Sequence, residues 1–453
     1  MNNLPHADVV PYAGRDVLAE PGEERYEIGR RAFNLSADQR PERVALPRDE
    51  QDVIFAVRFA AEFGMSVAAQ RTGHGATRLE SLENTLLLRT DEMTNVTIDP
   101  RERYARVQAG ARWEDVVPAA SELGLAALHG SSPDVGVVGY TLGGGIGWYA
   151  RRHGLAADHV IAIELVTADG QLRRVDQATD PELFWALRGG GGNLGVVTAL
   201  EFELLPVTEL YAGALFFPWE RSDEVLHAWN DWKSSIPDEL TSLARILQFP
   251  PLPQIPEPLR GNSFAIVEAA YLGSEANGAR LMDPLRRLGP TLDTLAAVPP
   301  VDISELHMDP REPVAFTDDH QLLEQLPDKA IDELISLVGP GSGSPLLTFE
   351  LRHLGGALAR PETGHGALGA VRGEISSFGA GLTPDASASQ AVREHLAMVR
   401  NALEPYDTSY ALSNFTLEPA EPSRFFEPAT LARLEHVRRA TDPHGVFSSL
   451  RQA

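Results

Sequence analysis

Glycine is the feature that most restricts what this chain can become. It gathers in three clusters: RTGHGA (71–76), HGSSPDVGVVGYTLGGGIG (129–147) and RGGGGNLGVV (188–197). Each glycine placed inside an element costs roughly 0.5–1 kcal/mol relative to alanine, so clustering on this scale needs an offsetting gain. Two readings supply one. Tight turns in a compact fold would use a few of these residues. Close approach of successive backbone N–H groups to a phosphate would use many, because consecutive amides form an anion-binding concavity. Three such loops exceed what a mononucleotide needs and suit a dinucleotide with its extended pyrophosphate. The familiar fingerprints do not fit. In GGGIGW, Trp148 stands where a third dinucleotide-fold glycine belongs. Neither lysine, Lys233 or Lys329, follows a glycine, so no Gly-Lys-Ser/Thr phosphate loop exists.

Composition narrows the classes further. A chain of 453 residues predicts two domains. A formal charge of −25 argues against nucleic acid or an anionic membrane surface as partner. The absence of cysteine excludes disulfides, thiolate metal sites, iron–sulfur clusters and a cysteine nucleophile. Thirteen histidines are scattered without the i, i+4 pair plus carboxylate of zinc hydrolases, so no metal is expected. No apolar run reaches membrane-spanning length. The start, MNNLPHADVVPYAGRD, lacks a basic segment followed by an apolar one, which predicts a cytoplasmic location.

Patterning places the glycine loops between elements. VALP and SVAAQ read as strands around a helix in RDEQDVIFAVRFAAEFG, with Gly64 as its C-cap. NTLLLRT and YARVQAG are further strands, WEDVVPAASELG and PELFWALRG helices. VIAIELVTADGQLRRV is a hairpin turning at Asp169-Gly170, and VVTALEFELLPV a long strand. Beyond residue 206 the texture changes. SFAIVEAAYLG, LLTFELRHLGG and VRGEISSFGAG read as strands, and SDEVLHAWNDWK, PDKAIDELISLVG and ASQAVREHLAMVRNAL as helices. Strands and helices in this order predict a sheet covered by helices on one face. PPLPQIPEPLRG is a surface loop, and the tail ATLARLEHVRRATDPHGVF a helix stopped at Asp442-Pro443.

His74, between two glycines, admits four roles from its residues alone: general base, metal ligand, phosphate-loop residue or covalent attachment point. The stretches VAAQRTGHGA, SSPDVGVVGYTLGGGIGWYARRHGLAADHV, LVTADG and DPELFWALRGGGGNLGVVTALEF resemble the FAD-binding domain of the berberine bridge enzyme-like flavoproteins, within the vanillyl-alcohol oxidase group. SNF and RLEHVRRATDPHGVF match the family's closing segment, and LRHLGGALA a substrate-domain strand of its bacterial members. The resemblance implies an α+β fold. A two-subdomain PCMH-type FAD-binding domain would span 1–205, a substrate domain with an antiparallel sheet covered by helices 206–412, and residues 413–453 would return to the first domain.

It also implies FAD, bound by Arg71, Thr72, Gly73, His74, Gly75, Ala76, Ser131, Ser132, Val135, Gly136, Gly139, Tyr140, Gly143, Gly144, Gly147, Gly195, Val197 and Asn414. His74 would carry the flavin covalently through its ring. A neutral imidazole is a good nucleophile near pH 7. Many members add a cysteinyl bond in the segment reading SSPDVG here; Ser132 occupies that place, so no cysteinyl link is possible.

The implied activity is oxidation of a hydroxylated or C–H-acidic small molecule in bacterial secondary metabolism, with hydride passing to flavin N5 and O2 reoxidising the flavin. Here the chain departs from the family. The usual base tyrosine of the Tyr-x-Asn motif is replaced by Leu412, and a second tyrosine by Ile146. Tyr410 would face the same way as Leu412 on a strand, and Tyr410, Glu350 and Tyr140, in that order, are the expected substitutes. In LTFELRH, Phe349, Leu351 and His353 alternate with Glu350 and Arg352; these two are either pocket residues or an ion pair within the sheet. Glu374 and Ser376 are similar candidates. Two other functions stay open: a cyclase that uses FAD without net redox, and a flavin carrier without turnover.

Overall fold

The computed structural model describes residues 16–79, 82–253, 255–417 and 419–447. The N-terminal residues behind the cytoplasmic expectation lie almost wholly outside them, as does one residue of the proline-rich loop. Three sheets organise the chain. The first holds β1 (Leu18–Ala19), β2 (Arg43–Ala45), β3 (Ser66–Gln70) and β4 (Thr85–Arg89), with β2 and β3 both parallel to β4. Parallel pairing needs a crossover, and the helix Glu50–Phe63 supplies it. Asp49 caps its first turn through the Asp52 amide, and Gly64, at φ 68°, ends it as expected.

The second sheet holds β5 (Val96–Asp99), β6 (Tyr104–Gln108), β7 (Val160–Val166), β8 (Leu172–Val175) and β9 (Val196–Glu203), all antiparallel. The β7–β8 hairpin turns at Gly170, φ 69°. The first glycine cluster leaves β3 and the third enters β9, while the second lies between the helix Trp113–Glu122 and β7.

The third sheet is antiparallel and eight-stranded. It comprises β10 (Leu210–Pro218), β11 (Leu240–Gln248), β12 (Ser263–Tyr271), β13 (Leu292–Asp293), β14 (Ala296–Val298), β15 (Phe316–Leu323), β16 (Thr348–His353) and β17 (Ile375–Leu382), ordered β13-β10-β12-β11-β16-β17-β15 with β14 on β10. Helices 222–233, 328–338 and 386–403 cover one face, where Ala244, Ile246, Phe349 and Leu351 pack on Trp229, Leu334 and Leu396. The opposite face turns toward the glycine loops: Ala212, Leu243, Ala270 and Leu322 share a core with Tyr140 and Trp148. The expected one-sided cover is therefore present. Strands β10, β11 and β15 were not anticipated. The expectation of a strand through Tyr410 and Leu412 is overturned: the segment has no regular structure, and Ser409 adopts φ 66°. No described helix is long and apolar enough to cross a membrane.

Candidate FAD-facing site

Strand β3 delivers the loop Arg71–Ala76. Gly73 sits at φ 79°, and a Cβ there would lie 2.7 Å from that of Ala32, so only glycine fits. The turn sets His74 flat on Phe33, ring centroids 3.8 Å apart and 14° from parallel. Its Nδ1 lies 2.7 Å from Thr72 Oγ1, and its Nε2 3.5 Å from Asp134 Oδ2. Among the described residues, none accepts a hydrogen bond from the amides of Thr72, Gly73, His74 or Gly75. The guanidinium of Arg71, by contrast, is engaged by Gly110 O at 2.6 Å and Asp91 at 2.8 Å.

The second cluster packs on the first. A Cβ on Gly136 would meet the Arg71 side chain at 3.0 Å, whereas one on Gly139 would meet nothing within 4 Å. Val135 O accepts from the Trp113 amide, and Ser131 and Ser132 both donate to Asp309. In GGGIG, Gly144 and Gly145 take φ 110° and 78°. Asn414 clamps this loop, accepting from the Gly145 amide at 2.9 Å and donating to Tyr140 O at 3.1 Å. A Cβ on Gly143 would strike Asn414 at 2.8 Å, and Gly147 passes against His129 O. In the third cluster, Gly195 lets β9 approach Leu165 and Val166 of β7, and Val197 pairs with Leu165. Close strand packing accounts for those two without a ligand.

Facing the loops, the sheet presents two rows of side chains. One runs His320–Phe378–Glu350–Arg245–Ile266, the next Leu322–Ser376–Arg352–Leu243–Glu268. Glu350 and Arg352 therefore do point away from Phe349 and Leu351, and they also form an ion pair within the sheet, Nε to Oε1 2.9 Å. The pair belongs to a larger buried network. His307 lies 2.8 Å from Glu268 through Nδ1 and 3.1 Å from Glu350 through Nε2, and Arg245 is 2.5 Å from Glu268. Arg352 stands over Trp148 at 5.8 Å and Phe415 at 5.4 Å. The segment bearing His307 straps the sheet to the loops. After Asp309 has met the serines, Val314 exchanges backbone hydrogen bonds with Phe33 and Leu35, beside His74.

Burial alone would raise the Glu350 carboxyl, but Arg352 and His307 outweigh it and hold it well below the usual range. Both its oxygens are occupied, which makes it a counter-ion rather than a free base. Burial and Arg245 depress the His307 imidazole, yet Glu268, Asp309 and Glu350 raise it to about 9. Burial drives the Tyr140 hydroxyl far up, with only Arg352 opposing. Tyr140 thus keeps its proton, contrary to the expectation of a base. Tyr410 lies elsewhere, beneath Arg372 at 4.8 Å, in an open cavity of about 600 Å³ shared with Glu324, Glu374 and Thr408. Glu374 pairs with Lys233, and Ser376 lies 3.4 Å from His320. Leu412 and Ile146 are buried and apolar. Sequence reasoning missed His307, Asp309 and His320. The segment VDISELHMDP and the strand FTDDHQLL carry no clear alternation, so nothing marked the faces they present.

FAD fits this site. Buried polar atoms without a partner concentrate in one stretch: His129 Nε2, Asp134 Oδ1, Tyr140 Oη, Trp148 Nε1 and Tyr149 Oη. Each unmet group costs about 1–3 kcal/mol, so their accumulation beside unpaired loop amides suits a large polar cofactor.

Comparison with known proteins agrees. Residues 41–176 match the FAD binding domain family. The chain is similar along 96% of its length, at 27% identity, to an FAD-linked oxidoreductase of Dictyostelium discoideum, covering 93% of that protein. Over 229 residues, 49% of this chain and 46% of the other, it is 34% identical to glucooligosaccharide oxidase of Sarocladium strictum. A Physcomitrella patens BBE-like protein superposes with a TM-score of 0.83 at 19% identity over 96% of both chains. Residues 41–176 thus carry the match to the FAD binding domain, the relatives by sequence are named FAD-linked oxidoreductases and oxidases, and the fold is that of the berberine bridge enzyme-like protein.

Proposed function

We propose that this protein is an oxidase whose FAD is attached to His74 and whose substrate is a hydroxylated or C–H-acidic small molecule. The observation that carries the reading is His74 itself, stacked on Phe33 in a loop whose amides 72–75 have no acceptor among the described residues, with one ring nitrogen held by Thr72 and the other beside Asp134. Thr72 and Asp134 fix the ring's orientation, and stacking keeps it in one plane. The amides of 72–75 and the GGGIG turn would hold the pyrophosphate and flavin, with Asn414 fixing that turn. FAD bound here supplies a hydride acceptor, and O2 the final electron sink. The substrate would dock between the loops and the polar sheet face, where Arg352, over Trp148 and Phe415 and held by the Glu350 carboxylate, would orient polar groups. Similarity to an oligosaccharide oxidase supports a polyol or sugar among the substrates. The bacterial secondary-metabolite setting belongs to this reading and rests on the LRHLGGALA strand.

A second reading has its own support. Leu412 and Ile146 are apolar where the resemblance places tyrosines, which favours a cyclase that uses FAD without net redox.

Acid precipitation of the purified protein tests the attachment. Yellow in the pellet, with a mass increase of one FAD that vanishes in His74→Ala, is the expected result. Anaerobic exposure to glucose, cellobiose and benzyl alcohol, followed by air, tests the oxidase. Bleaching and then peroxide supports it; a flavin no member of the panel reduces moves the function to the cyclase.

A further inference from the structure

We infer that His320 is the proton acceptor of the oxidation, receiving the substrate's proton on Nε2; the assignment rests on the oxidase reading above. His320 stands on β15 in the same row as Glu350, with Phe378 of β17 between them, on the face turned toward the glycine loops. Its Nδ1 lies 2.9 Å from the backbone carbonyl of Ser377. A carbonyl oxygen only accepts, so Nδ1 carries the proton and Nε2 is left as a lone pair. That nitrogen is buried and has no partner among the described residues. A buried acceptor without a donor costs stability, and a substrate hydroxyl would satisfy it.

Its placement connects it to the cofactor side. The ring lies 5.5 Å from that of Phe415, and the preceding residue, Asn414, binds Gly145 and Tyr140. His320 thus abuts the segment whose expected base position holds Leu412. The other candidates are disqualified by geometry or charge: Glu350 has both oxygens engaged, Tyr140 retains its proton, and Tyr410 lines the open cavity beside Glu324 and Glu374, away from His320.

The groups acting on His320 are Glu350 and Arg352 from β16, Ser376 and Ser377 from β17, and Arg424 from the turn 422–424. Burial chiefly, opposed by the Ser377 carbonyl, lowers its pKa to about 4, so the imidazole is neutral at working pH. Once protonated, it would face the Glu350 carboxylate across the row.

The step balances. The substrate O–H bond breaks and its proton goes to Nε2. The adjacent C–H bond breaks with its electron pair, which leaves as hydride to bound FAD, and a C=O bond forms. Carbon is oxidised by two electrons; O2 finally takes those electrons with two protons as hydrogen peroxide.

His320→Asn tests this, because its amide N–H can still serve Ser377 O while Nε2 is removed. In FAD-loaded enzyme labelled with ¹⁵N-histidine, the resonances lost in H320N identify His320. They should show an unprotonated Nε2 and a protonated Nδ1 from pH 8 to about 5; the opposite tautomer or a charged ring overturns the assignment. Anaerobic flavin reduction by a compound that reduces the wild type should slow about 10²- to 10⁴-fold in H320N with KM little changed. In His320→Ala, added imidazole should restore part of the rate. Reduction at the wild-type rate in H320N overturns the assignment alone. Failure of every panel compound to reduce the wild-type flavin brings down the oxidase reading, and this assignment with it.

Discussion

His307 Nδ1 lies 2.8 Å from Glu268 Oε2, where the two side chains are 7% and 0% exposed. With Glu350 on the other nitrogen, both ring positions are asked to donate, which only the imidazolium can do. Its folded pKa of about 9 stands above the ordinary histidine value, so the stabilisation is complete below pH about 6.5 and lost as pH rises through about 9. The stability advantage of wild type over His307→Gln should therefore shrink by on the order of 3 kcal/mol between pH 6 and pH 10. Denaturant midpoints at the two pH values measure it. A constant difference would mean that His307 is neutral when folded.

Glu350 balances two cations at once, Arg352 and His307. Removing one member of a buried charge network leaves the others uncompensated, at a cost of about 3–5 kcal/mol. Glu350→Gln should lower the urea midpoint accordingly and bring the His307 pKa down. Should the variant match the wild type in midpoint, the network would not be the buried, fully ionised cluster described above.

Two glycines of similar appearance should behave oppositely. At Gly73 the left-handed backbone and the neighbouring Ala32 both oppose a side chain, so Gly73→Ala should cost at least 1–2 kcal/mol, roughly, and displace His74. At Gly139 an added methyl meets nothing, so Gly139→Ala should leave the stability of the FAD-free protein unchanged to about 0.5 kcal/mol. If that open space belongs to the flavin, the same substitution reduces FAD taken up per chain. Melting curves with and without FAD separate the two effects; normal FAD uptake by Gly139→Ala would place the cofactor elsewhere.

What the sequence makes legible depends on the kind of signal each residue carries. The tight turns of the glycine clusters were legible because conformational need shows as residue type, and LTFELRH because strand alternation sorts Glu350 from Phe349. Tyr410 misled because the inference assumed a strand, and Ser409 at φ 66° ends any alternation there. His320 and His307 were invisible for another reason. β15 reads FTDDHQLL, polar on both faces, since one face meets the charged network and the other the Arg400 region of helix 386–403. His307 lies in a loop, where no periodicity exists to say which side chains turn inward.

Asn414 joins the closing segment to the GGGIG turn with two hydrogen bonds of opposite sense. The pair discriminates between substitutions. Asn414→Ala leaves the Gly145 amide and the Tyr140 carbonyl without that partner, which should cost about 1–3 kcal/mol. Asn414→Asp keeps an acceptor for Gly145 but sets a carboxylate against Tyr140 O, so it should do no better than alanine despite its near-identical shape. Because the contact fixes the φ 110° and 78° glycines of the loop proposed to hold the flavin, both variants should also take up less FAD. Thermal midpoints and flavin-to-protein ratios of the purified variants provide the check. An aspartate variant with wild-type midpoint and flavin content would show that the Tyr140 half of the clamp contributes nothing, leaving the Gly145 half to hold the turn.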